Sequence, residues 1–304
     1  MTRYARAPSR ELTGLLGPGG SLSPLLAPRV VAGVALDVHL RERDHVNVYC
    51  GGTVLVDAWL SRDGRVQVSA GSGYRSQDCA VLLSSSWRVD EPQPVLRERL
   101  DHYLAHVSVS PKWAAGEYAV QASWTVRAPW LPFDREGVLG YPSRLAKTNA
   151  RDVPAVRAAR AEAGRPRVVG HYGAEVDQLA IDPAGHLVLI ELKDAGRVGN
   201  QDSVVDAPLQ LLQYLHEWAN ALDTVRDQIA RVVRARIEVG LSPPETPTLT
   251  GGIRPVLAFG TAHPKSSARG RLDAVRDVAN RHLPIGTSPI ELWAMDHGGP
   301  VRLG

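Results

Sequence analysis

The sequence predicts an α/β protein in two parts: a β-rich N-terminal module over residues 1–130 and a mixed-sheet α/β domain over residues 131–304. Three observations carry this. Between residues 34 and 68 apolar and polar side chains alternate, and turn signals separate the runs, which is the pattern of half-buried strands. The composition shifts at Pro129-Trp130-Leu131-Pro132. From residue 151 onward the segments follow the order α-β-β-α-α-β-α-β, which a mixed sheet with helical crossovers accommodates.

Taken in order, residues 1–30 are rich in Gly, Pro and Ser and read as a loosely packed lead-in. Residues 34–40 alternate. Residues 46–49 run into the Gly51-Gly52 turn, and residues 54–60 reach a hairpin turn at Arg62-Asp63-Gly64-Arg65 before 66–68. A short helix is expected within 92–107 and another strand at 119–126. Trp59, Trp87, Trp113, Trp124 and Trp130 are expected in the core, not on a base-stacking surface. In the second part, Val153, Val156 and Ala159 recur at helical spacing. Residues 175–181 and 186–193 flank Pro183-Ala184-Gly185 as a hairpin. Two amphipathic helices are expected over about 208–222 and 224–239. A strand at 256–260, a helix at 271–282 and a last strand at 290–295 complete the order.

Composition excludes several classes. Hydrophobic residues make up 44% and charged residues 22%, a globular balance. No apolar run is long enough for a membrane span, and Pro18, Gly19, Gly20 and Pro24 break the stretch after Arg3, Arg6 and Arg10. A cytoplasmic protein with no membrane partner is expected. Two cysteines, Cys50 and Cys79, support neither a disulfide framework nor a cysteine zinc site. Gly17-Pro18-Gly19-Gly20 and Gly71-Ser72-Gly73 lack the Lys-Ser/Thr of a P-loop, and no G-x-S-x-G occurs. His102 and His106 stand i, i+4 without a third ligand at metal spacing and read as a solvated helix face. The net charge of +3 is compatible with a nucleic-acid partner without arguing for one. Of 35 basic residues only Lys112, Lys147, Lys193 and Lys265 are lysine, so a retained lysine points to chemistry that arginine does not supply.

The informative stretch is the hairpin. In the second strand Leu187, Leu189, Glu191 and Lys193 share one face, while Val188, Ile190 and Leu192 share the other. An acid and a lysine thus close an apolar strand, where unpaired charge is costly. In an ordinary register Asp177, on the face of Leu179 and Ile181, converges with Glu191. Glu175 shares that face. Two converging carboxylates suit a hard cation, Mg²⁺ or Mn²⁺, and a lysine two residues on can orient a water or neutralise a phosphorane. The bland alternative is a hairpin ending in an exposed Glu191–Lys193 ion pair.

These residues resemble the PD-(D/E)XK nuclease superfamily over about residues 150–295. Asp177 matches the acid of its first strand, and Glu191-Leu192-Lys193 the E-x-K. Gln210-Leu211-Leu212-Gln213-Tyr214 fits the Q-x-x-x-Y helix motif of RecB-like members, although Val176 replaces the proline of the motif. The resemblance implies a restriction-endonuclease-like core and a metal-dependent nuclease acting on DNA, in restriction, phage defence or repair. Asp177 and Glu191 would hold the metal, with Lys193, Gln210 and Tyr214 completing the catalytic site. A further glutamate on the preceding helix is also implied, for which Glu162 is preferred over Glu136. Arg226, Arg231 and Arg234, with Arg236, lie opposite the apolar side of the second long helix; they read either as a solvated face or, under the resemblance, as phosphate contacts beside the site. The N-terminal module would select the substrate, or a partner protein or second copy. The alternative reading is an inactive nuclease fold that binds nucleic acid or serves assembly.

Overall fold

A computed structural model describes residues 2–91, 95–165, 175–196, 201–261 and 263–303. The chain divides into two compact units: residues 5–122 with 228–246, and residues 1–4 with 123–227 and 247–304. Residues 228–246 therefore group with the N-terminal part. They do so because Ala235 and Val239 enter its core and Arg236 donates to the Val38 carbonyl at 3.1 Å.

The N-terminal unit is built on a six-stranded antiparallel sheet in sequential order. Its strands are β1 (Val30–Val31), β2 (Val34–Arg41), β3 (His45–Cys50), β4 (Thr53–Leu60), β5 (Arg65–Ala70) and β6 (Ser85–Arg88). The alternation read in the sequence is realised. Leu40, Val46, Ala58 and Val68 lie in register across four strands and are buried. Helices α1 (Arg10–Leu16), α2 (Ala80–Leu83) and α3 (Leu96–His106) belong to the same unit.

Two expectations are corrected here. Residues 1–30 are not loosely packed: Leu12, Leu16, Leu22 and Leu25 are core residues, and Ser9 caps α1 by accepting the Leu12 N–H at 3.1 Å. Residues 119–126 lie in a helix, α4 (Glu117–Arg127), and not in a strand. Val120, Gln121 and Trp124 are the buried positions, and their spacing of one and three fits a helical face and not alternation.

The second unit contains another six-stranded sheet, now mixed. In sequence its elements are β7 (Leu131–Val138), α5 (Arg144–Arg151), α6 (Pro154–Glu162), β8 (Glu175–Ile181), β9 (Leu187–Lys193), α7 (Gln201–Glu238), β10 (Ile253–Phe259), α8 (Ser266–Arg281), β11 (Glu291–Asp296) and β12 (Gly299–Arg302). The sheet order is β12-β11-β10-β9-β8-β7. Strands β7, β8 and β9 are antiparallel neighbours; β9, β10 and β11 are parallel, and β12 is antiparallel. Strands β9 and β10 are buried on both faces, as central parallel strands are, and largely apolar; Glu191 and Lys193 at the end of β9 are the charged residues buried there.

Strand β7 was not legible because Pro132 and Gly137 read as loop. The proline is tolerated because β7 is an edge strand whose register shifts between Pro132 and Asp134. Gly137 is required, since a Cβ there would stand 2.5 Å from Leu179 Cδ1.

The two amphipathic helices expected over 208–222 and 224–239 are one helix, α7. No Gly or Pro separates residues 222 and 224, and Pro208 sits inside the helix. The proline removes one backbone hydrogen bond, but Val204, Val205, Ala207, Leu209, Leu211 and Leu212 around it are all buried. Among the described residues no helix is long and apolar enough to cross a membrane.

Candidate active site

The β8–β9 hairpin closes on Asp182, whose Oδ1 accepts the N–H groups of Ala184 and His186, each at 2.9 Å. Gly185 occupies the turn with φ of 84°, and a Cβ there would meet the Thr248 carbonyl at 2.3 Å. This turn sets the register: Ile181 pairs with Leu187, Leu179 with Leu189 and Gln178 with Ile190. Continued by one residue, the register places Asp177 opposite Glu191, on the face shared by Leu179 and Leu189.

The ladder between the two strands ends at that point. Strand β8 goes on pairing with β7 to Val138–Glu175, and β9 goes on pairing with β10 to Phe259–Lys193. The hairpin thus parts where its acids lie. Asp177 Oδ2 takes over as acceptor for the Leu192 N–H at 2.7 Å.

Glu191 and Lys193 form an ion pair between Oε1 and Nζ. It is not the exposed strand-end pair of the bland alternative: the two residues are 1% and 6% exposed. A pair withdrawn this far from water is a structural liability unless the site uses it.

Helix α7 covers this group with Tyr214. Burial raises the Tyr214 pKa, and the negative charges of Glu191 and Asp177 add to it against Lys193, so the phenol stays protonated. Gln210 Nε2 donates to its oxygen at 3.0 Å. Leu209, Leu211, Leu212 and Leu215 are fully buried and fix the helix in this rotation. Asp177, Glu191, Lys193, Gln210 and Tyr214 therefore form one cluster.

Glu162 does not belong to it. Its carboxylate is held by His282 at 2.9 Å and by Arg281 at 2.5 Å, and these bonds lower its pKa. It stands at the C-terminal end of α6, where the cations at the end of α8 reach it. Glu136 falls between the Arg135–Gln178 and Gly137–Val176 pairs, at the register position across from Asp177, with φ of 52°. The expected arginines are dispersed. Arg226 pairs with Asp223 at 2.9 Å; Arg231 and Arg234 are exposed on the stretch of α7 that belongs to the other unit. Arg236 is buried and bonds backbone carbonyls, so it is a structural residue.

One functional candidate escaped the sequence reading. Glu217 is buried on α7, where it accepts from Tyr141 Oη at 3.0 Å and Gln213 Nε2 at 3.2 Å and lies 3.3 Å from Arg151 Nε. Burial raises its pKa against these partners and Lys147. The available signal was its position three residues past Tyr214, on the same helical face.

Asp177 and Glu191 are hard oxygen donors at opposed positions of one sheet face. That donor set fits Mg²⁺, which takes one or two carboxylates and fills its shell with water and phosphate oxygens. Among the described residues no three His, Cys, Asp or Glu side chains form a metal cage. Compared with protein-family models, with curated proteins and with solved structures, the chain matches none.

Proposed function

We propose that the protein is a metal-dependent nuclease that hydrolyses phosphodiester bonds of DNA on a restriction-endonuclease-like core. The observation that carries the reading is the convergence of Asp177, Glu191, Lys193 and Tyr214 where β8 and β9 part. The order β7-β8-β9-β10, three antiparallel strands and then a parallel one reached through α7, supports the fold assignment.

In this reading Asp177 and Glu191 would hold Mg²⁺ or Mn²⁺. Bound there, the cation supplies charge stabilisation at the phosphate and lowers the pKa of a water. Lys193 presents a compact ammonium on the same face. It orients the attacking water and offsets charge growing on the phosphate oxygens as the new P–O bond forms and the old one breaks. Tyr214 stays neutral, and Gln210 fixes its orientation. The N-terminal unit would choose the substrate or a partner protein.

The test is cleavage of plasmid, single-stranded DNA and RNA by the purified protein with Mg²⁺, Mn²⁺ or EDTA, alongside Glu191→Ala. Metal-dependent DNA cleavage lost in the variant is expected. A wild type that binds DNA but never cuts it would point instead to a binding or assembly module.

A further inference from the structure

Helix α5 carries Arg144, Lys147 and Arg151 and no acidic residue, and none of its residues is buried. The three cations stand at i, i+3 and i+7, which places them along one side of the helix. Ser143 caps its start, accepting the Ala146 N–H at 3.1 Å. Its far end is tied to α7: Arg151 Nε lies 3.3 Å from Glu217 Oε1, and Tyr141 just before the helix donates to Glu217 Oε2 at 3.0 Å.

Gln210, Gln213, Tyr214 and Glu217 form one stripe of α7, within a single face of about 100°. Tyr214 is the residue of the stripe that feels the charges of Asp177, Glu191 and Lys193; Glu217, one turn on, is the residue that pairs with α5. The helix is thereby anchored about one helical turn from the acidic cluster. Among the described residues, the side chains of Arg144 and Lys147 make no hydrogen bond or ion pair, although the charge of Lys147 is felt at Glu217. Arg151 already engages Glu217.

We infer that α5 is a backbone-contact element that grips the phosphates of a DNA strand leading to the Asp177–Glu191 site, and this rests on reading that site as a nuclease centre. Cations on successive turns of an exposed helix, neither of them consumed by an ion pair, suit the run of phosphates along a nucleic-acid strand. Arg151, held by Glu217, sets where the other two stand.

The test is fluorescence anisotropy with a labelled DNA duplex, a single strand and an RNA duplex, in EDTA, over a range of salt. The proteins are wild type, Arg144→Glu/Lys147→Glu and the milder Arg144→Ala/Lys147→Ala. Both positions are on the surface, and matching thermal melts confirm that the variants fold. Expected is a loss of DNA affinity of about tenfold or more in the charge-reversed protein, a smaller loss in the alanine protein, and a salt slope shallower by about two. Unchanged DNA affinity and slope would overturn the inference and leave this face to an acidic protein surface. A loss confined to the RNA duplex would overturn DNA as the source of the phosphates. Cleavage is assayed separately. A wild type that binds through α5 without cutting removes the nuclease reading alone, and one that cuts while the variants bind normally removes the α5 contact alone.

Discussion

Asp177 accepts the backbone N–H of Leu192 at 2.7 Å from the position opposite Glu191. One carboxylate therefore does two things. Its Oδ2 closes the ladder where β8 leaves β9, and the charge stands beside Glu191. The strand that carries the E-x-K sequence is held in place by the acid of its neighbour.

These two tasks separate in variants. Asp177→Asn keeps an oxygen that accepts the Leu192 N–H, so its melting temperature should stay near that of wild type. The anion is gone, and cleavage should fall by about a hundredfold or more. Asp177→Ala removes the acceptor from a buried N–H and should also cost about 1–3 kcal/mol in stability. Asparagine cleaving at the wild-type rate would remove Asp177 from the proposed site.

Lys193 is 6% exposed and paired with a glutamate that is 1% exposed. Lys193→Ala leaves that carboxylate buried without its cation and should cost about 3–5 kcal/mol. Lys193→Arg keeps the charge but brings a larger planar group into a filled site. It should lose about 1–3 kcal/mol and fail to restore cleavage. Urea unfolding and rates with Mg²⁺ decide both points; an arginine variant as active as wild type would make Lys193 a generic cation.

Tyr214→Phe removes the acceptor of Gln210 and the phenol beside the acids. About 0.5–1.5 kcal/mol of stability should go with the bond. Cleavage should drop in kcat with KM little changed, because the phenol orients the cluster. A variant with altered KM and normal kcat would place Tyr214 in substrate binding instead.

The candidate site was legible because its residues obey local rules. Asp177 and Glu191 face each other through strand alternation and a short turn, and Gln210 and Tyr214 through one helical turn. What sequence spacing does not encode is which distant element arrives beside them. Glu162 sits on a predicted helix at a reasonable distance in sequence, yet Arg281 and His282 from α8 claim it. Glu217 was overlooked because a glutamate on an amphipathic helix reads as solvated; only the arrival of Tyr141 and Arg151 makes it a buried anchor. In the N-terminal unit the turns revealed β2 to β5. The pattern around Trp124 misled, since its short run fits alternation until the burial of Val120, Gln121 and Trp124 is known.

The last prediction concerns the N-terminal unit. His39 is 1% exposed on β2, and its Nε2 lies 2.5 Å from Asp37 Oδ2. Burial drives its pKa from the ordinary 6.5 down to about 4; Asp37 opposes this, while the charges of Arg41 and Arg236 reinforce it. The folded state therefore holds the imidazole neutral at a pH where the unfolded chain protonates it. Stability from this group is complete above the unfolded pKa of 6.5 and is lost as pH falls toward about 4, by about 3 kcal/mol in all. His39→Gln takes up no proton in either state, so its stability should change less over the same range. Chemical unfolding of both proteins at pH 7, 5.5 and 4.5 measures the difference. Wild type should converge on the variant, or fall below it, as the solution is acidified. Parallel stability curves would mean that His39 takes up its proton at the same pH in the folded unit as in the unfolded chain, so burial does not hold it neutral.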